Sequence, residues 1–304
     1  MTDKRLITLA TAMIAVCLPA AAQANDKAPF SLEVSAGLGY DSHVSVDAAD
    51  ITASAGDELI NLELETSYKL IDNKSTSFEV GYDFSQSLHR DLTAFDIQSH
   101  SPSVAGSVKV SGAKIGLKYS YYHTLLGGSR FLDMHVLNPS ISGFVAKRVY
   151  LRGSYSYTDK RFAVLTNRDA KNQQGGLDGF YFFAKSKGFV SLGAHVEREN
   201  AVDAQLDYDG YALNAGLQVP LKLTGRGGKL NLSYAYRVRN YDNISLSLGQ
   251  KRREDRSVFR AQAESPLFGG LSLGLMYQYT DRNSNFLFSN YTENLATSSL
   301  IYKF

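Results

Sequence analysis

Charged side chains recur at every second position in several segments, the pattern in this sequence that most directly suggests chemistry. Residues two apart in an extended strand share one face. Two neighbouring segments carry Glu63, Glu65, Glu79 and Asp83, and two later ones carry Arg237, Arg239, Arg256 and Arg260. We expect these sets to line two walls of one interior, where a transverse field would select polar solutes. The alternative is that the charges pair across neighbouring strands and only fill the interior.

Hydrolytic chemistry would need a histidine beside a serine or an acidic partner. The histidines are His43, His89, His100, His123, His135 and His195. His100 and Ser101 cannot form a dyad, because adjacent strand residues face opposite sides. The glycine-rich run at 225–228 lacks a following Lys-Ser or Lys-Thr and is typical of a turn. We therefore predict no enzymatic activity, no metal site and no cofactor.

The elements that must position the charged residues are strands, because apolar and polar residues alternate with a period of two. Leu32, Val34 and Leu38, for example, alternate with Glu33 and Gly37. Each such segment has one apolar and one polar face. We predict fourteen strands, give or take two, at 30–41, 58–70, 75–88, 96–109, 113–126, 131–145, 148–161, 171–184, 188–199, 206–219, 229–241, 252–265, 270–283 and 291–304.

These segments predict an all-β fold: a single antiparallel transmembrane β-barrel of about 14 strands. Each is long enough for a tilted strand to cross a bilayer, which takes roughly 9–11 residues. Short turns alternate with longer polar connections (42–57, 89–95, 163–170, 242–251 and 284–290), as periplasmic turns and outer loops do in outer-membrane barrels. A soluble β-sandwich or β-solenoid would not explain the tyrosines on the apolar face, which suit an interfacial girdle: Tyr40, Tyr68, Tyr82, Tyr119, Tyr155, Tyr211, Tyr234, Tyr277 and Tyr302.

The N-terminus has the features of a cleavable signal peptide. Lys4 and Arg5 precede a short apolar run, and Ala22-Gln23-Ala24 resembles a cleavage site. We therefore predict a signal peptide at 1–24 and a barrel at 25–304. Cys17, the only cysteine, would be removed with it. The formal net charge of +2, with interspersed signs, gives no reason to expect nucleic acid as a partner.

Three short stretches carry a family resemblance. The ending Leu300-Ile301-Tyr302-Lys303-Phe304 resembles the last strand of Gram-negative outer-membrane proteins, which implies that Phe304 is an assembly signal for the barrel-assembly machinery. The stretch 37–42, followed here by His43 where relatives usually have Asn, and the stretch 282–285 resemble the barrel of surface lipoprotein assembly modifiers and related porin-like proteins. That resemblance implies a lipoprotein partner. The family also carries a helical-repeat periplasmic domain, which this sequence does not show.

We therefore expect a channel for small polar solutes in the cell outer membrane, with lipoprotein assembly or translocation as the alternative function. No connection exceeds about 16 residues, which argues against a large folded plug. The segment 42–57 is the candidate for a loop that folds inward. Membrane lipid and lipopolysaccharide are the expected surroundings, and the run 251–256 is a candidate contact for lipopolysaccharide phosphates, with a solvated loop edge as the alternative.

Overall fold

Fourteen antiparallel strands, numbered β1 to β14 in chain order, form one closed sheet. The computed structural model describes residues 29–222, 225, 227–286 and 289–304, so the predicted signal peptide at 1–24 lies outside the described residues. The strands are Phe30–Asp41, Asp57–Asp72, Thr76–His89, Ile97–Val110, Ala113–Leu126, Ser129–Ala146, Val149–Phe162, Ala170–Phe183, Gly188–Ala201, Tyr208–Leu221, Gly228–Ser245, Gln250–Phe268, Leu271–Ser284 and Tyr291–Lys303.

The barrel closes between its first and last strands. Each strand pairs with its neighbour in sequence, and β1 pairs with both β2 and β14. At this seam Val34 lies opposite Tyr302 on one side and Leu64 on the other. Phe304 follows β14 and exchanges backbone hydrogen bonds of 2.9 and 3.0 Å with Leu32. The prediction of a single antiparallel barrel of about fourteen strands is therefore confirmed.

The period-two pattern separates an apolar outside from a polar inside. Leu38 and Leu192 point outward and are 63% and 66% exposed, whereas Ser35 and Gln278 point inward and are 8% and 0% exposed. Eight of the nine predicted girdle tyrosines are exposed in the same way: Tyr40, Tyr68, Tyr119, Tyr155, Tyr211, Tyr234, Tyr277 and Tyr302. An apolar exterior of this kind is stable only against lipid.

His100 and Ser101 lie on opposite faces of β4, as predicted. The ring of His100 points outward, and its Nδ1 atom lies 2.7 Å from the hydroxyl of Tyr82. Tyr82, the ninth girdle tyrosine, is half-buried rather than exposed. Ser101 points into the barrel and is 4% exposed.

The connections differ in length at the two ends of the barrel. Four turns of two or three residues (73–75, 111–112, 147–148 and 269–270) lie at the end that holds both termini. The longest connections (42–56, 90–96, 163–169) lie at the other end, here called the outer end, together with one two-residue turn at 127–128. Short turns are periplasmic in this class of barrel. Among the described residues, helical structure is limited to single 3-10 turns, and none of it could span a bilayer.

One predicted connection is wrong. The loop expected at 242–251 shrinks to 246–249, because β11 continues to Ser245 and β12 begins at Gln250. A register shift between Asn240 and Ile244 lets the two strands extend together beyond the predicted ends. The charged run 251–256 therefore lies within β12 rather than at a loop edge, and its side chains alternate between the outer and inner faces.

Candidate functional site: the lumen and its inward-folded loop

The connection between β1 and β2, residues 42–56, folds into the barrel and is here called L1. Its two arms pair through Ser45–Val46 and Ile51–Thr52. At the tip a 3-10 turn, Asp47–Ala49, ends at Asp50, which has a φ of 54° and donates its backbone N–H to the carbonyl of Asp47. Aspartate tolerates this left-handed conformation better than most residues. The tip therefore presents two carboxylates to the lumen.

Four arginines receive these carboxylates and are here called the arginine cluster: Arg168, Arg252, Arg256 and Arg282. Asp50 Oδ1 lies 3.0 Å from Nη2 of Arg252 and 2.5 Å from Nη2 of Arg282. Its second oxygen lies 3.0 Å from Arg168, which reaches in from the connection after β7. Asp50 is thus bound on three sides.

Asp47 is held by a second set of partners. It forms ion pairs with Arg256 and, at 3.4 Å, with Arg282. The hydroxyl of Tyr291 donates to Asp47 Oδ1 at 2.7 Å, and the ring of His43 stacks on Tyr291 at 4.8 Å. Charge-assisted bonds of this kind are stronger than neutral ones, so the tip is fixed against the wall formed by β12, β13 and β14.

The opposite side of L1 is apolar and reaches the facing wall. Val46 and Ala49 are 4% and 6% exposed and pack with Ile97 at the start of β4. Further apolar contacts come from Phe95, Leu126, Phe131 and Leu165. L1 therefore bridges the lumen from the β12–β14 wall to the β4–β6 region and narrows its outer end. The expectation that 42–57 could fold inward is correct.

The eight charged residues predicted to line the interior all lie on the inward face of their strands: Glu63, Glu65, Glu79, Asp83, Arg237, Arg239, Arg256 and Arg260. Many have local partners. Arg237 and Arg239 lie 3.8 and 3.1 Å from Glu197 Oε1, and Arg260 donates to Gln278. Ser35 donates to Glu63 at 3.1 Å.

Apart from Arg256, sequence reasoning missed the groups that hold L1. Glu254 lies between Arg239, Arg252 and Arg282, at 3.5, 2.7 and 2.9 Å. The signal was present in the run 251–256, where alternation places residues 252, 254 and 256 on one face. The placement of Asp47 and Asp50 had no such signal, because L1 has no strand period across its tip.

Below L1, towards the end with the short turns, the lumen encloses a cavity of about 610 Å³. Its charged lining residues are Glu79, Lys114, Lys118, Arg152, Asp178, His195 and Arg237. Serines, Asn138, Asn214 and Gln174 supply further polar groups, and Tyr122 and Phe180 supply aromatic surface. A cavity of this size and polarity suits a small solute.

A comparison with models of protein families shows which family the chain belongs to. The model of surface lipoprotein assembly modifiers matches residues 61–304. The chain belongs to this family. No curated protein matches it in sequence. Because the match covers all the barrel strands after β2 and most of β2 itself, the assembly-modifier barrel and the barrel described above are the same unit.

Solved structures agree with the assembly-modifier barrel on the fold. A loop-deletion mutant of OmpT, an outer membrane protein of Vibrio cholerae, matches with a TM-score of 0.55 and 9% identity over 90% of this chain and 99% of that one. An anion-selective porin from Comamonas acidovorans matches with a TM-score of 0.50 and 9% identity over 90% and 98%. At such identities the likeness concerns the fold alone. The family match and the closed barrel with its apolar exterior together place this assembly modifier in the outer membrane.

The hold on L1 in this assembly modifier should resist moderate acid. Burial raises the pKa of the Asp47 and Asp50 carboxyls, but the arginine cluster outweighs it and keeps both pKa values below the usual one. A carboxyl group whose pKa is lowered by docking stabilises the docked state fully at any pH above its free pKa of about 3.9. This stabilisation is lost only as the pH falls through the lower pKa of the docked state. Burial also lowers the pKa of His43. We expect L1 to stay docked from neutral pH to about pH 5, and single-channel recording across a lipid bilayer measures this. An increase in openings within that pH interval would contradict the prediction.

Proposed function

We propose that the protein is an outer-membrane channel for small polar solutes, and that L1 closes its outer end. The observation that carries this proposal is a polar cavity of about 610 Å³ in a lumen whose outer end is narrowed by a loop held by ion pairs rather than by continuous strand pairing. Ion pairs can be exchanged for water or solute contacts, so such a loop can move without unfolding the barrel. The proposed function needs no catalysis.

The size of the cavity supports small solutes over polypeptides. Pockets of roughly 300–1,000 Å³ enclose single small molecules, whereas a folded domain is far larger. The lining is charged and hydroxylated, which favours solutes that keep hydrogen bonds along the path. A polar solute can therefore exchange its hydration shell for wall contacts, and a folded protein cannot enter.

Covalent locking of L1 tests the channel directly. Val46 and Ile97 pack together across the lumen, and Cys17 lies in the predicted signal peptide. In the Val46→Cys/Ile97→Cys variant, a reducible bifunctional thiol crosslinker should tie L1 to β4. We expect the crosslinked protein to show no openings in planar lipid bilayers, and openings to return after reduction, because L1 must leave the lumen for solutes to pass.

The two single-cysteine variants serve as matched controls, since each reacts with the crosslinker without joining L1 to the wall. Their conductance should be unaffected by the reagent. Conduction that persists in the crosslinked double variant would show that the path does not run past L1. A reconstituted protein without openings in any state would refute the channel itself.

Lipoprotein assembly or translocation at the cell surface is the second candidate function, and the family match over residues 61–304 supports it. A role of this kind would act on a lipoprotein without passing it through the cavity. Co-expression with a candidate lipoprotein encoded beside this gene, followed by protease treatment of intact cells, separates the two functions. Protein-dependent exposure of the lipoprotein would favour assembly.

Two surface features suggest partners within the membrane. Lys251 and Arg253 are exposed on the outer face of β12, near the outer end, where we propose that they contact lipopolysaccharide phosphates. Phe304 is 74% exposed at the opposite end, and we propose it as the signal for the barrel-assembly machinery. The first contact concerns the lipid around the barrel and the second concerns its insertion into the membrane. Neither involves the transported solute.

A further inference from the structure

The cavity wall formed by β7 to β10 carries a built polar arrangement. Asp178 lies between a histidine and an arginine, with Oδ1 3.0 Å from His195 Nε2 and Oδ2 3.3 Å from Arg152 Nη2. A Cβ on Gly176 would lie 2.1 Å from the His195 ring, and one on Gly193 would lie 2.5 Å from Asp178 Oδ1. Glycine at both positions is what gives the histidine and the carboxylate their space.

Three atoms of this wall have unused hydrogen-bonding capacity. Arg152 Nε and Asn214 Oδ1 are buried and hydrogen-bond to no other group in the described part of the chain, and the buried Asp178 Oδ2 has only its 3.3 Å ion pair with Arg152 Nη2. All three residues line the same cavity. Buried polar atoms are costly unless they find a partner, so one donor and two acceptors here suit a bound molecule that has hydroxyl groups.

The charge of the cavity favours an anion. Four permanently cationic side chains line it, against two carboxylates, Glu79 and Asp178. Asp178 pairs with Arg152, and Arg237 lies 3.8 Å from Glu197, which leaves Lys114 and Lys118 against Glu79. Lys114 and Lys118, on the neighbouring β5 wall, have no carboxylate within ion-pair distance among the described residues. Lysine ammonium groups in this state attract a carboxylate from solution.

Aromatic surface completes the site. Phe180 lies two residues after Asp178 on the same face of β8 and lines the cavity. Its ring is fixed by Tyr150 and Phe189, with centroids 6.1 and 5.9 Å away. Tyr122 lines the cavity from β5. A carbon skeleton can therefore pack against rigid rings while its polar groups face the charged wall.

We propose that this cavity binds a small hydroxylated organic acid, of the sugar-acid type, as the solute of the proposed channel. The carboxylate lies between Lys114 and Lys118. Hydroxyl groups donate to Asp178 Oδ2 and Asn214 Oδ1, and a hydroxyl oxygen accepts from Arg152 Nε. The solute class rests on the proposed function, but binding can be measured without transport.

Calorimetric titration of the detergent-solubilised full chain with gluconate tests the site. Glucose offers hydroxyl groups without the charge, and butyrate offers the charge without hydroxyl groups. Because each of these solutes lacks one set of contacts, we expect both to bind at least about tenfold more weakly than gluconate. The Lys114→Gln/Lys118→Gln variant should lose gluconate affinity by a similar factor, and Asn214→Ala should lose part of it.

Arg90→Gln is the matched control, because Arg90 is a cation at the exposed outer rim, 3.0 Å from Glu58 and away from the cavity. It should bind gluconate like the wild type, and heat-modifiable electrophoretic migration should show that every variant is folded. Equal binding of gluconate and butyrate, or unchanged binding by the double lysine variant, would overturn the proposal. Gluconate binding without conductance would refute the channel and leave the site; conductance without gluconate binding would do the reverse.

Discussion

The Asp47→Asn/Asp50→Asn double variant is expected to stay open for most of the time in planar bilayers, whereas the wild type is mainly closed. The amides keep the shape of the L1 tip but remove the counter-charges of Arg168 and Arg256 and leave Arg252 and Arg282 with Glu254 alone. Removing one side of a buried ion pair costs about 3–5 kcal/mol. Even about 3 kcal/mol shifts the balance between closed and open states by more than about a hundredfold.

The open double variant should also prefer anions, because the arginines freed from Asp47 and Asp50 then face the aqueous path. The reversal potential in a salt gradient measures this preference. Glu58→Gln is the control, since Glu58 is a largely exposed carboxylate whose ion pair with Arg90 lies at the outer rim. A double variant as quiet as the wild type would show that the packing of Val46 and Ala49, rather than charge, holds L1.

Much of the barrel could be predicted because a strand period is a local property. Leu38 and Tyr40 on the outside and Ser35 on the inside are assigned by alternation alone, without knowledge of any contact. The same reasoning assigned Glu63 and Arg237 to the polar face; in the structure Glu63 accepts a hydrogen bond from the inward-pointing Ser35, and Arg237 lines the cavity. Strand ends were less predictable, as in β11 and β12, because a register shift near Asn240 adds residues that no periodicity marks.

The docking of L1 across the lumen could not be predicted from the local sequence pattern. Asp50 and Arg282 are 232 residues apart, and they meet only because barrel closure pairs β14 with both β13 and β1 and because L1 turns inward. The left-handed backbone at Asp50, which aims its carboxylate at the cluster, depends on the tip turn. These ion pairs form only in the closed barrel, so the sequence of a single strand does not predict them.

Arg282→Gln is expected to open the channel as well, but with the opposite selectivity. Arg282 is 5% exposed and contacts Asp47, Asp50 and Glu254 at 3.4, 2.5 and 2.9 Å. Without it, three carboxylates lie close together with fewer cations, so L1 is repelled and the path becomes more negative. We expect frequent openings and a reversal potential shifted towards cations.

Two further variants distinguish loss of charge from loss of geometry. Arg282→Lys keeps the charge but not the planar guanidinium group that bonds several carboxylate oxygens at once. Compared with Arg282→Gln, it should return the ion selectivity to that of the wild type but only partly reduce the number of openings. Arg253→Gln removes an exposed arginine from the outer face of β12 and should behave like the wild type.

Opposite selectivity in the Arg282→Gln and Asp47→Asn/Asp50→Asn channels requires that mutual charge neutralisation holds L1, because a loop held by apolar packing would open in neither. If both channels prefer the same ion, the cluster is not the part of the wall that the solute passes.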